Sequence, residues 1–118
     1  MSRNTVLWFF IVVIDLLLIV NIENTFDNGD SILHYIQAHQ ALETPHYFLD
    51  MWAKPIFILL AFPFANIGWI GMKLFNLLCI IGSAFVLKKI IDHYHINGWY
   101  GVFICFFSQS FFLVQSSG

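Results

Sequence analysis

Two long apolar runs, residues 6–22 and 55–87, leave this chain few ways to fold. The first is interrupted only by Asp15 and Asn21, and a helix of that length, at about 1.5 Å per residue, crosses most of a ~30 Å hydrocarbon core. Only 10% of the 118 residues are charged and 59% are hydrophobic, too little charge to keep a soluble domain of this size dissolved. The class that follows is an all-α, polytopic integral membrane protein. A signal peptide has the same outline as the first run. Here, however, the run ends Val20-Asn21-Ile22-Glu23-Asn24, without the small residues of a cleavage site, so it reads as an uncleaved anchor.

The second run is too long for one span and is punctuated by Pro63, Asn66, Gly68, Gly71 and Lys73. Two full spans in it would put Lys88 and Lys89 on the same side as the acidic loop, against the positive-inside rule. One span places them in the cytoplasm with Arg3. Residues 55–66 are therefore expected to form a short interfacial or re-entrant helix and residues 69–89 the second span. Trp69 and Lys73 then fall near its outer end, where lysine snorkels to the headgroups. A turn over residues 91–98 ends in Asn97-Gly98, and a third span, 98–114, follows. The arrangement is three transmembrane helices, with an outer loop over residues 23–68 carrying short interfacial helices. The enclosed volume of three spans is small, and the chain reads as the N-terminal part of a longer multi-span protein. Asp15, mid-helix in the first span, is expected to face inward, either lining a substrate path or, as the plainer reading has it, hydrogen bonding to Asn76, Ser83 or Gln109 on a neighbouring span.

A net charge of −2 with no basic run gives no footprint for nucleic acid. Cys79 and Cys105 each lie in apolar sequence, with no paired-cysteine or histidine spacing around them, and read as packing residues.

The polar passage over residues 26–55 holds Asp27, Asp30, Glu43 and Asp50, four of the seven acids, and any chemistry belongs there. Asp27-Asn28-Gly29 is a turn signature. Asp30-Ser31 offers an N-cap to a helix over residues 32–42 lying on the interface through Tyr35, Gln37 and His39, with Thr44-Pro45 as its stop. His46, Tyr47 and Phe48, with Trp52, return the chain to the headgroup zone. Asp30 and His34, four apart, share a helical face and suit a base with an orienting partner; the plainer reading makes Asp30 a cap and His34 a surface residue. His34 and His39, five apart, do not share a face, which argues against a metal pair.

Taken together, Phe26-Asp27-Asn28-Gly29-Asp30-Ser31 with His34-Tyr35, then Trp52-Ala53-Lys54-Pro55, the apolar segment through Pro63 and Gly68, and Gly71-Met72-Lys73-Leu74-Phe75-Asn76 resemble the start of the GT-C superfamily of membrane glycosyltransferases. The pattern is similar to that of protein mannosyltransferases and aminoarabinose transferases. The resemblance implies sugar transfer from a polyprenyl-phosphate carrier to an acceptor hydroxyl, with inversion, at the outer face of a bacterial inner membrane and with the N-terminus cytoplasmic. It makes a first-loop aspartate the catalytic base, Asp30 with Asp27 in reserve. Lys54 matches a basic residue that in some members meets the carrier phosphate, with an interfacial lysine held by lipid headgroups as the equal alternative, and His34 and Tyr35 fall in substrate binding. A divalent metal is left open as cofactor, and the acceptor is not specified. The sequence departs from the family in that its paired acids are split by Asn28-Gly29. The competing class is a small non-catalytic membrane subunit, or a transporter fragment, whose outer loop binds a partner.

Overall fold

The computed structural model describes residues 3–22, 29–50 and 54–108, and among them every regular element is helical. The order is α1 (Arg3–Asn21), α2 (Asp30–His39), a 3-10 turn (Pro45–Leu49), α3 (Pro55–Ala65), α4 (Trp69–His93) and α5 (Trp99–Phe107).

Two of these, α1 and α4, are long and apolar enough to cross a membrane. Phe9, Phe10, Leu17 and Val20 of α1 are each more than half exposed. An apolar helix left bare in this way is the reverse of the amphipathic stripe of a water-soluble core helix. α1 begins at Arg3, three residues before the expected start, and α4 runs to His93, four past the expected end. At 25 residues α4 is about 37 Å long, so Lys88, Lys89 and Asp92 ride beyond its apolar part. The described portion of α5 is nine residues, about 13 Å; most of the remaining stretch expected to be helical, including Gln109, lies outside the described residues.

Two apolar clusters hold these helices together. In the first, Ile11 and Ile19 of α1 meet Leu77, Ile80 and Ala84 of α4 and Val102, Cys105 and Phe106 of α5. Asp15 falls on the same face of α1 and is only 3% exposed, the inward position expected of it. Cys105 packs as anticipated, but Cys79 faces outward: it sits on the side of α4 that neither cluster covers.

The second cluster joins α2, α3 and the first turns of α4, through Ala38, Ala41, Ile58, Ala61, Ala65, Met72 and Phe75. Four alanines at this contact let the backbones approach closely. The turn from α3 into α4 is tighter still, since a Cβ on Gly71 would lie 1.9 Å from the Phe64 carbonyl oxygen. At the other end of α4, Asp92 closes the turn into α5. Its Oδ2 takes the Lys88 ammonium at 2.5 Å, and its Oδ1 accepts the Gly98 N–H at 2.8 Å.

Lys73 departs from expectation. It does not reach outward to headgroups but is 2% exposed, with Nζ donating to the Ile22 carbonyl at 2.5 Å. Antiparallel packing of α1 on α4 puts the carbonyl end of α1 within reach of the first turns of α4, and a cation is favoured at a helix C-terminus.

Candidate functional site at the paired helices α2 and α3

The α2 helix starts one residue earlier than its capping pattern suggests. Gly29, at φ 116°, takes the cap position, and Asp30 becomes the first helical residue, with no side-chain cap bond at this end. Glycine reaches this left-handed conformation without the Cβ penalty. Asp30 is thereby freed from capping. Its carboxylate is exposed and, among the described residues, has no hydrogen-bond or ion-pair partner. A negative charge in the first turn is favoured by the helix dipole.

The helix also ends earlier than Thr44-Pro45. It stops at His39, where turns over residues 40–43 lead into the 3-10 segment that carries His46, Tyr47 and Phe48. Phe48 packs edge-on against Phe62 of α3, while Trp52 lies outside the described residues. Gln37, expected on the wet face, is buried instead and donates from Nε2 to Asp50 Oδ2 at 2.9 Å. That bond returns the chain along α2 toward its own beginning. The loop therefore doubles back, and α3 starts beside the start of α2.

Two contacts show the consequence. The His34 ring lies 5.3 Å from the Phe57 ring, near the beginning of α3, and His39 Nδ1 lies 3.2 Å from the carbonyl oxygen of Ala65, its last residue. Moving forward along α2 thus moves forward along α3: the two helices run side by side in the same sense. Their N-termini, with Asp30 and Lys54, lie at one end of the pair; their C-termini, with His39 and Asn66, lie at the other.

At the N-terminal end Lys54 is exposed and precedes Pro55, with φ 59° and ψ 116°. Its carbonyl accepts the Phe57 N–H at 2.9 Å, so its backbone closes the first turn of α3. A non-glycine residue at positive φ costs about 1–3 kcal/mol and persists where the surroundings over-determine it. Beside the Asp30 carboxylate, this end of the pair carries the Lys54 ammonium and two helix N-termini, groups that favour a phosphate. His34 sits one turn into α2 on the same side as Asp30 and is half-buried against Phe57.

Tyr35 points elsewhere. Its ring stacks on His39, with centroids 5.6 Å apart and planes 23° apart, and meets Trp69 edge-on at 5.3 Å. Of the residues singled out from sequence, Asp30, His34 and Lys54 share the N-terminal end, Tyr35 serves the opposite end, and Asp27 lies outside the described residues. Sequence reasoning had no signal for His39 as a residue joining α2 to α3, because its acceptor is a backbone carbonyl 26 residues away. Among the described residues no three His, Cys, Asp or Glu side chains converge as a metal site.

No protein-family model, curated protein or solved structure matches the chain.

Proposed function

We propose that the chain forms the first part of an inverting membrane glycosyltransferase of the GT-C kind, moving a sugar from a polyprenyl-phosphate carrier to an acceptor hydroxyl on the outer side of a bacterial inner membrane, with the N-terminus in the cytoplasm. The observation that supports it most is the same-sense pairing of α2 and α3. It puts an unpartnered carboxylate, Asp30, at the end of the pair that also carries Lys54 and two helix N-termini. Those are the complementary requirements of the reaction.

In that reaction the acceptor oxygen attacks the anomeric carbon as the bond from that carbon to the phosphate oxygen breaks. The electron pair leaves with the polyprenyl phosphate, and the hydroxyl proton passes to Asp30 as general base. Lys54 and the paired N-termini stabilise the charge growing on the departing phosphate. His34, fixed against Phe57, lines the approach to Asp30.

The test is sugar transfer in membranes supplied with polyprenyl-phosphate sugar, with the protein expressed from its own gene and variants at matched levels. Asp30→Asn keeps the shape of the side chain and removes the base, and a loss of at least about 100-fold in turnover is expected. Unchanged transfer in that variant, or none by the wild type, overturns the assignment and leaves a non-catalytic, partner-binding subunit.

A further inference from the structure

The opposite end of the pair has the opposite chemistry. There the C-termini of α2 and α3 converge on a cleft of about 250 Å³ lined by His39, Gln40, Leu42, Glu43 and Asn66. Neither a lysine nor an arginine is among these lining residues, and one is an acid. Two helix C-termini add partial negative charge, so the cleft repels phosphate and attracts hydrogen-bond donors.

The imidazole is set for that task. The Ala65 carbonyl only accepts, so the proton in its bond with His39 belongs to Nδ1. In the neutral ring Nε2 is then an acceptor. Tyr35, itself held edge-on by Trp69, stacks on the ring and fixes its plane. Around this fixed acceptor, the Gln40 and Asn66 amides each offer a carbonyl oxygen and two N–H donors, and Glu43 offers a carboxylate. A ligand dense in hydroxyls, each donating and accepting once, matches that set. The volume is below that of drug-sized pockets and suits one small ring.

We infer that this cleft is a binding subsite for a single hydroxylated ring, and that the acceptor of the proposed transfer therefore itself carries a sugar. The second half rests on the reading given above; the first does not. From Asp30 to His39 along α2 is about 14 Å, so the subsite lies away from the reacting hydroxyl and governs acceptor affinity rather than the bond-making step.

The experiment uses the protein in lipid nanodiscs with a diazirine-bearing octyl β-glucoside as probe, the labelled residues being mapped by mass spectrometry. Gln40→Ala and Glu43→Gln are the variants, chosen because both side chains are exposed and neither holds the helices together. Expected are labelling at residues 39–43 and 66, competition by methyl glucoside but not by inorganic phosphate, and at least a fivefold loss in the double variant. Asp30→Asn labels as the wild type does. In transfer assays the double variant raises the acceptor KM at least fivefold with kcat kept, whereas Asp30→Asn lowers kcat. Labelling elsewhere, labelling indifferent to both substitutions, competition by phosphate, or manganese binding that requires His39 and Glu43 overturns the subsite. Labelling as expected with Asp30→Asn fully active sinks the transferase reading and leaves the subsite standing.

Discussion

The two apolar clusters share α4 and little else. Where α1, α4 and α5 meet, the contact is made by Ile11, Ile19, Leu77, Ile80 and Phe106, with Trp8 lying 5.7 Å from Trp99 and 6.2 Å from Phe106. Large side chains fill most of that contact, while Ala84 and Gly101 still let α4 and α5 come close, a Cβ on Gly101 falling 2.6 Å from Ile91 Cδ1. Where α2 and α3 meet α4, four alanines and the bare Gly71 bring backbones together, and little space remains to be rearranged. The proposed site thus lies on the half where the turn into α4 has no room for a Cβ, and the bare apolar face of α1 belongs to the other half.

The sharpest way to break this contrast is Gly71→Ala. The added Cβ meets the Phe64 carbonyl, which is backbone and has no rotamer to give, so the turn from α3 to α4 has to open. A loss of about 3 kcal/mol in stability is expected, read from thermal unfolding in detergent, with the α1–α4–α5 contacts keeping their protection from hydrogen exchange. A variant as stable as the wild type rules out the close approach.

Matched cavities come next. Ile58→Ala in the alanine-lined cluster and Ile80→Ala in the other delete the same atoms at sites that are both buried. The cost of such a deletion depends on how far neighbours relax into the gap. About 3 kcal/mol is expected at Ile58 and about 2 kcal/mol at Ile80. Equal losses, or the reverse order, erase the distinction between the clusters.

Lys73→Met probes the link between them. The Ile22 carbonyl loses its donor, which costs about 1–2 kcal/mol, while removal of a buried ammonium returns part of that. A net loss is expected, with Lys73→Arg closer to wild type. If the methionine variant is more stable, desolvation outweighs the bond and the tie is not what holds α1 to α4.

The smallest effect has the opposite sign. Lys54→Gly removes the penalty of a side chain at φ 59° and is expected to raise stability by about 1 kcal/mol while lowering sugar transfer. A variant that is both stabler and fully active removes Lys54 from the proposed site.

The division of the long apolar run was legible because its boundaries are written in residues with one local meaning. Pro55 opens α3, Gly68 at φ 96° precedes α4, and Asn97-Gly98 precedes α5. What the sequence did not disclose depends on partners distant along the chain. Gln37 reads as a surface amide until Asp50 returns to meet it, and Lys73 reads as a snorkelling lysine until the end of α1 arrives beside it. Asp30 reads as a cap because the serine and apolar residues behind it fit the capping pattern, yet Gly29 takes that place through backbone freedom. The shared face of Asp30 and His34 followed from spacing alone. That Lys54 lies at the same end of the helix pair did not, since helix direction is set by the path of the intervening loop rather than by its composition.

The bond from Lys73 to Ile22 joins positions 51 residues apart, and so it also has a place in time. While the chain is being synthesised, the Ile22 carbonyl just past the first helix waits for a donor that has not yet been made. The C-terminal end of that helix stays untied until the fourth helix arrives. A translation-arrest force profile should register a late pull when Lys73 clears the ribosome and docks, and should lose it in Lys73→Met.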